Sequence, residues 1–129
     1  AFLGEVTAET RACAERVAGD LHGEAFDLAI DQLGYWGRRG LLWAGPSETP
    51  PALERLAADL GSGLETCGIP RETRPFRPHV TLARKAPRLP ALTAVAPVAW
   101  PVRRFVLVES RLGKGGAVYT AVGHWPLAE

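Results

Sequence analysis

Arg74-Pro75-Phe76-Arg77-Pro78-His79-Val80-Thr81-Leu82-Ala83-Arg84 sets an imidazole and a hydroxyl two residues apart on a short apolar run, with arginines at both ends. Side chains two apart on a strand project from the same face, so His79 and Thr81 point one way. Histidine exchanges a proton near neutral pH, and hydroxyl and guanidinium groups hold phosphate oxygens. The chemistry suggested is cleavage of a phosphate ester. Pro78 is expected to fix the approach to the strand, and Val80 and Leu82 on its other face to anchor it in the core. A bare His-x-Thr is a weak signal, and a structural histidine is the competing reading. That reading wants apolar neighbours on the same face, whereas they are Thr81 and the small Ala83.

The flanks add charge. From Arg71 to Arg88 the basic residues are Arg71, Arg74, Arg77, Arg84, Lys85 and Arg88, against the one acid Glu72. Such a cluster suits an anionic ligand, although a solvated face without function has the same composition. The whole chain carries a formal net charge of only +1, so no global field attracts nucleic acid.

Working outward, Thr7 can cap a helix whose apolar positions Ala14, Val17, Ala18 and Leu21 follow helical spacing, ending near Gly23. From Phe26 the period becomes two, with Phe26, Leu28 and Ile30 on one side and Asp27 and Asp31 on the other. Leu41-Leu42-Trp43-Ala44-Gly45 reads as a second strand, and Gly34, Gly37 and Gly40 favour a turn between antiparallel neighbours. Thr49-Pro50-Pro51 starts a second helix, with Leu53, Leu56, Ala57, Leu60 and Leu64 as its buried stripe; Gly68 and Pro70 stop it. Pro87 to Pro101 is expected to be mostly connection with a short edge strand. Arg103 to Leu112 and Ala117 to Leu127 form two strands, joined by the glycine-rich turn Gly113 to Gly116. Ala1 to Val6 resembles the tail of an apolar strand. This order gives an α+β fold with largely antiparallel pairing.

At 129 residues the chain suits one domain, spanning residues 1–129, and its 47% hydrophobic and 22% charged residues match a soluble globular protein. No apolar run of about 18 residues suggests a membrane span, and a cytoplasmic protein is expected. Cys13 and Cys67 lie far apart without metal-type neighbours, so buried reduced thiols are expected. Trp36, Tyr35 and Phe76 could stack on a nucleobase. Core packing is the competing reading, and it is favoured for Trp36 and Phe76. Trp43, Phe105 and Tyr119 are expected in the core.

Pro78-His79-Val80-Thr81-Leu82-Ala83-Arg84, then Phe105 to Leu112, Gly116-Ala117-Val118-Tyr119 and Trp125-Pro126-Leu127, resemble the C-terminal half of the RNA 2′,3′-cyclic phosphodiesterases. These are also called 2′-5′ RNA ligases, of the two-histidine (2H) phosphoesterase superfamily. Phe2-Leu3-Gly4-Glu5 and Leu42-Trp43-Ala44-Gly45 extend the resemblance over nearly the whole chain. It implies a LigT-like fold of two pseudo-symmetric lobes, with mostly antiparallel sheet and outer helices around a central cleft. Each lobe of the family carries one His-x-Thr. This chain holds only the second, and the resemblance places the first just upstream of Ala1, so the domain is expected to be N-terminally incomplete and impaired as it stands. His22 and His124 lack a threonine two residues on and are expected to be structural or at the surface.

The resemblance also implies hydrolysis of RNA 2′,3′-cyclic phosphate ends to 2′-phosphomonoesters, with reversible 2′-5′ ligation. His79 would be the general base, with Thr81 and Arg84 binding the phosphate, and neither metal nor cofactor would be needed. The partners implied are RNA 3′ ends or small cyclic-phosphate nucleotides, bound by a monomer. A non-catalytic RNA- or nucleotide-binding module and a phosphodiesterase of small nucleotides are the alternatives.

Overall fold

Thr7 accepts a hydrogen bond from the Thr10 backbone N–H at 3.1 Å, and this cap opens α1 (Ala8–Asp20) in the computed structural model, which describes residues 1–91 and 94–129. The predicted stripe is the buried one, with Ala14 and Ala18 inside. After it come β1 (Phe26–Trp36) and β2 (Leu41–Gly45), antiparallel with Gly34 opposite Trp43. The second helix, α2 (Pro51–Glu65), begins on a proline whose missing N–H costs nothing at that position, and buries Leu56 and Leu64. Gly68 leaves it with φ of 81°, a conformation that glycine adopts without strain.

The chain then gives β3 (Val80–Ala83), β4 (Ala94–Val102), β5 (Arg104–Gly113) and β6 (Gly116–Pro126). Four strands pair in the order β3-β2-β1-β4, all antiparallel, and β5 and β6 form a separate hairpin. Backbone hydrogen bonds tie the end of the hairpin to the entry of β1: Ala25 N–H donates to the Ala128 carbonyl at 2.7 Å, and Ala128 N–H to that of Gly23 at 2.9 Å. The helices pack on each other, and α1 packs on β6. Ala14, Leu64 and Ile69 form a small core there, with Leu3, Leu60 and Cys67 against it. The expected α+β class and antiparallel pairing are the observed ones. Among the described residues no helix is long and apolar enough to cross a membrane.

Several expectations need correction. Cys13 and Cys67 are joined in a disulfide, not reduced. The packing of α1 on α2 sets their Cα atoms 5.7 Å apart, within bridging range, across a sequence separation of 54 that hides the pairing. Val80 and Leu82 do not anchor β3 in the core; they are 40% and 54% exposed, because β3 is an edge strand. Ala1 to Val6 forms no strand, since nothing among the described residues pairs with it. The Pro87–Pro101 stretch holds all but the last residue of the nine-residue β4, longer than the short strand expected. Its prolines are tolerated because β4 is the other edge of the sheet. Residues 92 and 93 of that stretch lie outside the described residues. Tyr119 is 65% exposed near the tip of the hairpin, where it was expected in the core.

Candidate active site

The site is built on the β1-β2-β3 face. Gly34 lies opposite Trp43, and Trp43 opposite Thr81, so the three share one face as neighbours across the strands. The Trp43 indole lies flat across Gly34: a Cβ added there would fall 1.9 Å from Trp43 Cζ2. Only glycine leaves room for that ring.

On this floor stand two more rings. Trp36, the last residue of β1, is 5.4 Å from Trp43 between centroids and 4.6 Å from His79, which it meets edge to face at 80°. His79 is also 6.3 Å from Trp43. These tilted and edge-on arrangements suit the ring quadrupoles and hold the imidazole at the mouth of β3.

His79 Nδ1 lies 2.7 Å from the Arg77 carbonyl oxygen. A carbonyl only accepts, so Nδ1 carries the proton and the neutral ring keeps its free lone pair on Nε2. The ring is exposed, and Nε2 is the atom available to a substrate. Thr81, also exposed, presents its hydroxyl from the same face. Arg84 follows the end of β3 and pairs with no carboxylate among the described residues.

The predicted arginine cluster divides. Arg71 reaches Glu65 at 3.6 Å and Ser62 at 3.0 Å, while Arg74 bonds Glu72 at 3.1 Å. The hydrogen bonds from Arg74 hold the Glu72 carboxyl below its usual value and push the Arg74 guanidinium up. Arg77, Arg84, Lys85 and Arg88 make no such pair among the described residues. Behind the site, Ser47 donates from its hydroxyl and its backbone N–H to Asp31 at 2.6 and 2.7 Å, which lowers the Asp31 pKa and braces the exit from β2.

His79 and Thr81 therefore come together as expected. Trp36 is a half-buried neighbour of His79, Trp43 is the floor under it, and Phe76 is 50% exposed, outside this ring cluster and not in the core. The spacing of residues did not reveal the contact of Trp36 with His79; the glycine at 34 facing a tryptophan was its one visible trace. His22 and His124 lie off the sheet that carries His79, and both are exposed. No group of three or more His, Cys, Asp or Glu residues suited to a metal occurs among the described residues.

His79 at the entry to an edge strand, Thr81 on that strand, and arginines nearby that pair with no carboxylate among the described residues together make a candidate site for a phosphate ester. Residues 1–114 match the sequence profile of the 2′-5′ RNA ligase superfamily, and the chain belongs to that family. The RNA 2′,3′-cyclic phosphodiesterase of Escherichia coli (strain K12) is 35% identical over 132 residues, covering all of this chain and 74% of the relative. That of Thermus thermophilus is 37% identical over 113 residues, covering 79% of this chain and 56% of the relative. The crystal structure of E. coli LigT complexed with 3′-AMP superposes with a TM-score of 0.92 at 33% identity, over the whole of this chain and 75% of that one.

Proposed function

We propose that the protein hydrolyses RNA ends bearing a 2′,3′-cyclic phosphate to 2′-phosphomonoesters, with His79 as an acid-base group. One observation carries this reading: the bond from His79 Nδ1–H to the Arg77 carbonyl, which leaves Nε2 free beside Thr81 on an open, cationic face. The relatives named as RNA 2′,3′-cyclic phosphodiesterases and the 3′-AMP complex of LigT support the substrate class.

In the forward step Nε2 takes a proton from water as the water oxygen bonds to phosphorus. The bond from phosphorus to the 3′ oxygen breaks in line, and that oxygen takes a proton from an acid on the far side. Thr81 donates its hydroxyl hydrogen to a non-bridging oxygen, and Arg84 offsets the charge that develops there. No step requires a metal. The acid has to face His79 across the phosphate, and we assign it to a second histidine outside residues 1–129, on polypeptide that completes this domain. With a 5′-hydroxyl in place of water, the same step bonds that oxygen to phosphorus as the bond to the 3′ oxygen breaks, which would give 2′-5′ ligation.

A binding module that performs no chemistry is the second reading, favoured because residues 1–129 bring a single histidine to this face. The test is to incubate the full-length protein with a dinucleotide ending in 2′,3′-cyclic phosphate, without added metal, and to identify the product. A 2′-phosphate is expected. Binding without turnover would support the second reading, and a 3′-phosphate would overturn the assignment of the leaving oxygen.

A further inference from the structure

Residues 32–47 and 73–108 contain no aspartate or glutamate. The first stretch covers the end of β1, the turn and β2; the second covers β3, β4 and the first half of β5. Beyond Asp31 the four-stranded sheet therefore has no carboxylate of its own. The cations it carries are not scattered, because two of their segments are clamped together.

The turn between β1 and β2 packs on the loop that follows β3. Ala86 N–H donates to the Gly40 carbonyl at 2.7 Å, and the Tyr35 hydroxyl donates to the Ala86 carbonyl at 2.6 Å. Gly40 has φ of 57°, and a Cβ there would lie 2.9 Å from the Ala86 oxygen and 3.1 Å from Lys85 Cα, so the approach needs glycine. Lys85 itself is held at φ of 56°, the one non-glycine residue at positive φ among those described. This clamp seats Gly40 against Lys85, with Arg39 and Arg38 the next two residues back along the turn. All three are exposed, and none pairs with a carboxylate among the described residues.

Like charges gathered without counter-charges repel, and a surface built this way attracts a polyanion. The patch is also continuous with the site, since Trp36 immediately precedes the turn and meets His79 at 4.6 Å. From His79 to Arg84 the chain advances about 16 Å at the rise of a strand, which is longer than one phosphate needs. Repeated cations that lead away from aromatic rings fit a single-stranded nucleic acid.

We propose that Arg38, Arg39 and Lys85 form a backbone track for an RNA strand whose 3′-terminal phosphate lies at His79. The track rests on the proposed activity and adds that oligonucleotides, unlike mononucleotides, engage a second surface.

The test compares two substrates of the full-length protein, a short oligoribonucleotide ending in 2′,3′-cyclic phosphate and a 2′,3′-cyclic mononucleotide. The variants are Arg38→Glu/Arg39→Glu and Lys85→Asn, the latter a residue that accepts positive φ. The double variant should raise KM for the oligomer on the order of tenfold and flatten its salt dependence by about 0.7 in slope per lost phosphate contact. Its kcat/KM for the mononucleotide should not change. Equal losses on both substrates, or an unchanged oligomer KM and salt slope, would overturn the track. If the wild-type protein hydrolyses neither substrate, the activity fails and not the track, which is then read by anisotropy binding of an uncyclised oligomer. Binding that is salt-dependent and weakened by the double variant supports it, and unweakened binding overturns it.

Discussion

His79 Nδ1 and the Arg77 carbonyl oxygen lie 2.7 Å apart, and this contact places the ring proton on Nδ1 and leaves the lone pair on Nε2. It works with the Trp36 ring, whose centroid is 4.6 Å from that of the imidazole at 80°, to limit how the imidazole can turn. A side chain free to turn would offer either nitrogen; here one bond and one ring contact remove that freedom before substrate arrives.

Trp36→Leu should lower kcat by about three- to tenfold, the equivalent of losing an aromatic pair. Trp36→Phe should recover most of it. KM for a cyclic mononucleotide should move less than kcat, because the ring positions His79 and does not hold phosphate. A change confined to KM would make Trp36 a substrate contact instead.

Gly34→Ala should destabilise the protein by about 1–3 kcal/mol, since the methyl group and the Trp43 indole cannot share the space. Combining it with Trp43→Leu should give a loss smaller than the sum of the two, which denaturant melts of the four proteins would read. Trp43→Phe alone should cost little, because Trp43 Nε1 is buried with no partner among the described residues and its removal relieves an unsatisfied donor.

Reduction of Cys13–Cys67, or Cys13→Ser/Cys67→Ser, should lower stability by about 4 kcal/mol on the chain-entropy view of a loop closed across 54 residues. Parallel melts with and without reductant test this. An unchanged melting temperature would show that the helix pair is held by packing alone.

Asp31 contributes to a pH dependence of stability. Its folded pKa is lowered by the Ser47 hydroxyl first and the Ser47 N–H second, so its contribution is present above the unfolded value and is lost as pH falls through the folded one. Asp31→Asn should therefore flatten the decline in melting temperature below about pH 4 and change little at neutrality. A variant whose acid decline matches that of the wild type would remove Asp31 as the cause.

Much of this fold was legible in periodicity. The stripes of α1 and α2 and the alternation along the start of β1 follow directly from side-chain direction, and the His-x-Thr spacing placed two groups on one face. What stayed hidden depends on partners distant in the chain. Cys13 and Cys67 meet only because two helices pack, and β4 becomes a strand because β1 offers it a register from Phe26–Val102 onward. Val80 and Leu82 have the apolar character of a core strand, yet only the sheet order reveals that β3 is an edge. For the tryptophans the sequence left the surroundings open, because whether a tryptophan lies inside or beneath a site depends on what stands opposite it, here a glycine.

The central claim is that His79 exchanges the proton in phosphodiester hydrolysis. It is tested most directly by His79→Ala in the full-length protein, measured as turnover of a dinucleotide 2′,3′-cyclic phosphate. The account predicts a loss of about 10²–10⁴-fold in kcat, the usual contribution of a general acid or base, with the melting temperature nearly unchanged. Hydrolysis by this variant at close to the wild-type rate would contradict it.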